Sequence, residues 1–340
     1  RQVGKTTLCR GLADSYFDWD NDNHRDRIIG GAGILADSIS LDALGEKDRT
    51  PVICFDEIHK YARWKTFLKG FFDTYERECR ILVTGSSRLD IYKRGGDSLM
   101  GRYFVYRMHP LGVSELAGRN LDRHCVLQPV KISEDSFEAL WRFGGFPEPY
   151  ARRDSRFSIR WNRLRIQQLF REDLRELTRI QELGQVEALG KLLASRSSEQ
   201  IIYSGFAREL RVDDKKIRAW VATLVSLHYG FLIKPWYRNV ARSLRKEPKW
   251  FLRDWSMIDD VGQRAETFVA CHLLKAVEGW TDLGLGDFEL CYLRDKQKRE
   301  VDFIVIRDGK PWFLVEVKSS SMKLSPNLEY FKEITECENG

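Results

Sequence analysis

Three groups of side chains in this chain have the types and spacing that chemistry on phosphates requires. The first stands in RQVGKTTLCR. A phosphate loop needs close-set backbone N–H groups at a helix N-terminus, a glycine for close approach, a lysine for the β- and γ-phosphates and a hydroxyl for magnesium. Gly4, Lys5, Thr6 and the adjacent Thr7 supply the later half of G-x-x-x-x-G-K-[ST]; its first glycine would precede Arg1, so the chain is expected to continue upstream. A Gly-Lys-Thr triplet is also an ordinary turn with a capping threonine. In PVICFDEIHKY an apolar run, Val52 to Phe55, ends in two acids. A strand buried on both faces of a parallel sheet reads this way, and ligands sit at its C-terminal end. Asp56 is the expected magnesium ligand and Glu57 the group that polarises water, unless the two merely cap a helix from Ile58. A second run, CRILVTGSS, ends in Thr84, Gly85, Ser86 and Ser87, small polar groups suited to sensing a γ-phosphate or placing water.

The third group lies near the C-terminus, in REVDFIVIRDGKPWFLVEVKSS. Two strands are expected around RDGK, with Glu316 among apolar neighbours, where an acid is costly unless paired, protonated or metal-bound. Asp302 and Glu316 share a face only if the loop has an odd count, so the expected turn is Arg307-Asp308-Gly309 with a left-handed Gly309 and a bulge after it, making them diagonal neighbours. Upstream, DDVGQRAETFVACHLLKAV reads as a helix that turns Glu266 toward its apolar face. Helix acid, Asp302 and Glu316-x-Lys318 together resemble the PD-(D/E)xK restriction-endonuclease-like fold. The resemblance implies that Asp302 and Glu316 share magnesium, that Glu266 completes its shell, and that Lys318 orients the attacking water. The alternative is a buried salt-bridge network, Glu316 with Lys318 or Arg299, in a nuclease fold without activity.

Positioning these groups takes several elements. Between the two front runs, RWKTFLKGFFDTY has helical period, giving the strand, helix, strand of a doubly wound sheet. From Leu111 to Ile180 the spacing is helical, broken at GGFPEPY, where Gly144, Gly145, Pro147 and Pro149 are expected to interrupt a helix. In RLRIQQLFREDLREL, Leu164, Leu169, Phe170 and Leu174 are expected on one face and the charges on a solvated one. SGFARELRVDDKKIRAWVATL has helix-turn-helix spacing, with Asp213 as a cap and Lys215, Lys216 and Arg218 outward. The following segment reads as two strands around a basic loop with Arg238, Arg242, Arg245, Lys246 and Lys249, the pattern of a winged helix. That unit either contacts phosphates or serves as a packing module.

The order RQVGKTT, DEIHKY, VTGSS, GRYFVYRMHPLGVSEL and GGFPEPY resembles bacterial and archaeal AAA-type P-loop ATPases, in the subgroup where the ATPase precedes a C-terminal domain of unknown function. The likeness runs from Arg1 to about Ser320. It implies that Arg102 is a phosphate sensor or arginine finger; a surface ion pair is the alternative. The expected architecture is multidomain α/β: a P-loop core over 1–110, a helical lid over 111–182, a winged-helix-like module over 183–254 and a nuclease-like domain over 255–340. ATP and magnesium are the expected cofactors, nucleic acid, DNA first, the expected partner, with a protein partner or self-association as further candidates.

Composition sets limits on these readings. With 340 residues, 43% hydrophobic and 31% charged, the chain is long enough for two to four folded units. The longest uncharged stretch, 219–233, is too short and too polar for a membrane span. Seven scattered cysteines without C-x-x-C spacing argue against a disulfide framework or zinc knuckle and point to a reducing cytoplasm. A net charge of +6 favours an anionic partner only where the charge is concentrated.

Overall fold

The computed structural model describes residues 2–39, 41, 50–85, 99, 101–119, 124–174, 182–237, 247–318 and 323–337. They belong to two compact units, Arg1–Met108 and His109–Gly340.

In the first unit, α1 (Lys5–Leu12), β1 (Ser15–Asp18), α2 (Asp22–Ile29) and α3 (Ala32–Ser38) precede β2 (Val52–Asp56), α4 (Trp64–Tyr75) and β3 (Arg80–Val83). The sheet is parallel, in the order β1-β2-β3. Its middle strand is the apolar run read from sequence, and Ile53, Cys54 and Phe55 are fully buried, as expected where both faces are covered. Phe55 meets Phe67 and Phe71 of α4 edge to face and stacks on Phe17 of β1. β1 carries no such signal, since only Phe17 of its four residues is buried.

The second unit begins with α5 (Val113–Leu116), α6 (Glu134–Phe143), α7 (Pro147–Arg152) and α8 (Ser155–Gln168), then α9 (Leu183–Ala194), α10 (Tyr203–Leu210) and α11 (Asp214–Ser226). A mixed sheet follows, β4 (Gly230–Pro235), β5 (Lys249–Leu252), β6 (Phe288–Arg294), β7 (Glu300–Arg307) and β8 (Lys310–Val315), with α12 (Val261–Asp282) before β6 and α13 (Pro326–Thr335) last. Its order is β5-β4-β6-β7-β8. The β4–β5 hairpin expected as a wing therefore continues into the C-terminal strands, β4 pairing parallel with β6. Phe231, Phe251, Tyr292 and Phe303 of the sheet pack with Ala270 of α12, while Ile304, Ile306 and Leu314 pack with Leu328 and Phe331 of α13.

The break expected at GGFPEPY is present, between α6, which ends at Phe143, and α7. Local structure departs from the sequence reading at three places. Pro147 and Pro149 do not lie outside a helix; they stand in the first turn of α7, where the missing N–H groups would have had no intrahelical partner. After α8 the backbone makes a π turn, Leu169–Asp173; Leu164, five residues before it in the regular helix and so about 140° from Leu169, is exposed, while Leu169, Phe170 and Leu174 are buried. The turn after β7 has two residues, Asp308 and Gly309, both with positive φ (50° and 78°), so that Arg307 pairs with Lys310. This is the turn an Asp-Gly pair favours. A shift in register between Ile306↔Pro311 and Val305↔Phe313 then adds Trp312 to β8.

Candidate functional site

The front site forms where α1 meets the end of β2. Gly4, in the left-handed region at φ 93°, leads into α1, whose first residues are Lys5, Thr6 and Thr7. Thr6 Oγ1 donates to Asp56 Oδ2 at 2.7 Å, and Tyr16 Oη donates to the same oxygen at 2.6 Å. Thr84, at the end of β3, donates to Asp56 Oδ1. Burial raises the Asp56 carboxyl, but the hydrogen bonds from Thr84, Tyr16 and Thr6 and the Glu57 N–H outweigh it and hold it below the ordinary carboxylate range. The group is thus an ionised carboxylate whose donors keep it in place. Burial and the adjacent carboxylate push the Tyr16 phenol up, so it stays a donor. Sequence reasoning missed Tyr16: nothing in SYFD distinguishes it from a strand aromatic.

Glu57 follows with φ 54°, a conformation glutamate rarely adopts and one that clusters at functional sites. Its carboxylate lies 3.6 Å from Lys60 Nζ and 3.7 Å from buried His59 Nε2. Arg102 has its Nε 2.7 Å from Asp73 of α4, the ion pair that the sequence offered as the alternative to a phosphate sensor. Ser86 lies outside the described residues.

In the second unit Glu266, Glu300 and Asp302 surround an ammonium group. Lys249 Nζ is 2.5 Å from Glu300 Oε1, 3.7 Å from Glu266 Oε2 and 3.9 Å from Asp302 Oδ1. Lys249 is 4% exposed, and its Nζ lies 5.6 Å from the centre of the Tyr292 ring. It is therefore a buried residue of β5, not part of an exposed basic loop. Burial pushes the Glu266 carboxyl up to about 7, with Lys249 opposing and Asp302 and Glu300 adding to the rise. Asp302 is raised too, again by burial first, against the Val317 N–H and Lys249.

Continuing the pairing of Phe303 with Val315 sets Asp302 directly opposite Glu316 rather than on its diagonal. The bulge at Trp312 restores the parity that the two-residue turn removes. Asp302 Oδ2 accepts from the Val317 N–H at 2.8 Å, and Glu316 Oε2 is buried without a hydrogen-bond partner. Lys318 Nζ sits 4.0 Å from Glu316 Oε1 and donates to the Lys323 carbonyl at 2.7 Å. Arg299, offered as a partner for Glu316, pairs with Asp295 instead. Among the described residues no group of three or more His, Cys, Asp or Glu side chains is disposed to hold a metal ion. Glu266 and Asp302 do not fit magnesium while the Lys249 ammonium stands against them; Glu316 faces Lys318 instead.

The helix-turn-helix spacing is present as α10 and α11, joined through Arg211 at φ 55° and capped by Asp213, whose side chain accepts from the Lys215 N–H at 2.7 Å. Two of its three expected outward cations are already paired, Lys216 with Glu182 at 2.5 Å and Arg218 with Asp214 at 3.2 Å. Arg211 and Lys215 are exposed. Arg238, Arg242, Arg245 and Lys246 lie outside the described residues. No helix of the described residues is long and apolar enough to cross a membrane.

Comparison with known proteins follows the same division of the chain. Residues 134–264 match a domain of unknown function (DUF8612), and residues 261–339 match a second (DUF4143). An uncharacterized protein of Mycobacterium bovis and one of Mycobacterium tuberculosis are each 24% identical to the chain over 345 residues, covering 96% of it and 71% of the relative. No solved structure matches. Residues 1–117 match the AAA domain, and this, with the phosphate-loop threonine held on the acid of β2, supports an AAA-type ATPase.

Proposed function

We propose that the chain is a magnesium-dependent ATP-hydrolysing switch acting on nucleic acid, and that its C-terminal acids hold a lysine rather than cut phosphodiester bonds. The observation that carries the first part is the hydrogen bond from Thr6 to Asp56, which brings together the hydroxyl and the carboxylate that would hold the ion. Lys5, at the start of α1, faces the β- and γ-phosphates in this reading, and the N–H groups around Gly4 cradle them. Magnesium, when bound with ATP, neutralises charge on the phosphate oxygens. Thr6 and Asp56 hold its position, Tyr16 and Thr84 keep the carboxylate ionised and aimed, and Glu57 orients the attacking water. Arg102 is left out of this set because Asp73 holds it.

Nucleic acid as partner is supported by the α10–α11 pair, with Arg211 and Lys215 exposed at its turn. The non-cleaving reading of the tail is favoured by Lys249: the ammonium already supplies the positive charge that the acids would take from a metal.

Three assays on the full-length protein test this. Lys5→Ala and Asp56→Asn are each expected to lower the rate of magnesium-dependent ATP hydrolysis by at least about 100-fold. Arg211→Gln with Lys215→Gln is expected to weaken binding to duplex DNA. Supercoiled plasmid is expected to stay intact with magnesium or manganese in every nucleotide state. Undiminished hydrolysis in both ATPase variants would remove the first claim; nicking abolished by Asp302→Ala or Lys318→Ala would restore cleavage to the tail.

A further inference from the structure

Helix α8 carries a row of arginines for which the described residues provide no partner. Arg156, Arg160 and Arg163 follow one another at i, i+4 and i+7, so they share a face, and all three are exposed. Among the described residues none of them makes an ion pair, a hydrogen bond or a ring contact. Several other surface arginines are paired, Arg25 with Asp22, Arg102 with Asp73, Arg152 with Glu148, Arg196 with Glu209 and Arg218 with Asp214, while Arg211 is exposed like the row; what sets the three of α8 apart is that they stand together on one face.

The arrangement is unfavourable for the helix itself. There is no acid from Ser155 to Gln168, so like charges repel along the row. Arg156 also lies in the first turn, the end of the helix where the backbone dipole disfavours a cation. The nearby Asp154 is engaged as the cap, accepting from the Phe157 N–H at 2.5 Å. A helix stabilised only for folding would interleave acids here. The opposite face is fixed: Trp161 is buried against Phe146, and Arg165 pairs with buried Asp254 at 2.8 Å. The row therefore stands on a rigid support.

We infer that the exposed arginine row of α8 is a docking surface for the phosphate backbone of nucleic acid. The row spans about 10 Å at about 1.5 Å per residue, a length over which duplex DNA presents roughly six phosphate charges. Guanidinium groups bind phosphate oxygens in pairs. An anionic bilayer fits less well, because the apolar side of α8 is committed to the core and only Ile159 and Leu164, 64% and 60% exposed, remain beside the arginines. The inference shares with the proposed function the premise that nucleic acid is the partner, but places contact on a different helix from α11.

The test is the salt dependence of binding by the full-length protein to a fluorescent duplex of random sequence. Arg156→Gln/Arg160→Gln/Arg163→Gln is expected to reduce the slope of log affinity against log salt by about 2.7, at about 0.9 per phosphate contact. The corresponding triple lysine variant should keep most of the slope. An unchanged slope in the glutamine variant, with binding lost in Arg211→Gln/Lys215→Gln, would overturn this inference alone. A wild-type protein that binds no nucleic acid would overturn it together with the nucleic-acid part of the proposed function, as would binding confined to phosphatidylserine vesicles. Circular dichroism should be unchanged in both triple variants, and the melting temperature should not fall in the glutamine variant, where the repulsion along the row is relieved.

Discussion

Lys249 is the residue on which the reading of the C-terminal acids turns. Replacing it with methionine leaves the half-buried Glu266 and Asp302 without their cation, while Glu300 keeps Arg294 at 2.6 Å, and is expected to lower the unfolding free energy by no more than about 3 kcal/mol. The cost should depend on pH in a definite direction. Glu266 has its folded-state pKa raised, to about 7. Its neutral form is therefore compatible with burial below its ordinary value, and stability falls as pH rises from there through the folded value. Urea unfolding of Lys249→Met should show a smaller loss near pH 5 than near pH 8; equal losses would mean that the lysine does not neutralise these acids. The sequence suggests that Asp302 and Glu316 share a face only through a three-residue turn; they do share it, but by a two-residue turn and a bulge at Trp312. The identity of the cation was not legible. Lys249 stands 17 positions from Glu266 and 53 from Asp302, and local periodicity says nothing about which distant charge a buried acid will meet.

At the scale of elements, the segment leading into α5 is fastened to α12 by two buried histidines. His109 Nε2 lies 2.7 Å from Glu278 Oε2 while its Nδ1 faces Arg253 Nη1 at 2.9 Å. His272 Nε2 accepts from the Val113 N–H at 3.0 Å, and Lys275 donates to the Pro110 carbonyl at 2.7 Å. Each histidine accepts through an unprotonated nitrogen. Burial, the largest cause, lowers both pKa values, with Arg253 and Lys275 acting in the same direction on His109 and Lys275 on His272; Glu278 opposes it for His109, and the Phe268 carbonyl and Glu115 oppose it for His272. A base with a lowered folded pKa contributes stability that is complete above its ordinary value of 6.5 and is lost as pH falls below it. Thermal melts of the full-length protein should show this loss between neutral and mildly acidic pH, and His109→Gln/His272→Gln should flatten it. An equal pH slope in wild type and variant would assign the acid sensitivity elsewhere. Elements with strong periodicity, such as β2, α4, α11 and α12, could be read from sequence. The short β1 and the π turn after α8 could not, because tertiary packing rather than local pattern decides both.

For the molecule as a whole, the two units use acids at the ends of apolar strands for different purposes. In the first, the carboxylate of Asp56 is lowered and held by neutral donors, among them the hydroxyl of the phosphate-loop Thr6. In the second, the carboxyls of Glu266 and Asp302 are raised by burial and gathered on a lysine. Asp56 reads as a magnesium ligand because it ends an apolar run, and Glu266 and Asp302 because, with Glu316-x-Lys318, they resemble a nuclease site; their neighbours are not visible in either pattern. In the function proposed above, only the first serves a metal. Manganese is a paramagnetic substitute for magnesium, so titrating it into the full-length protein with ATP, followed by electron paramagnetic resonance, separates the two. The expected result is a single bound ion that Asp56→Asn releases and Asp302→Asn leaves in place; a second ion lost only in Asp302→Asn would contradict it.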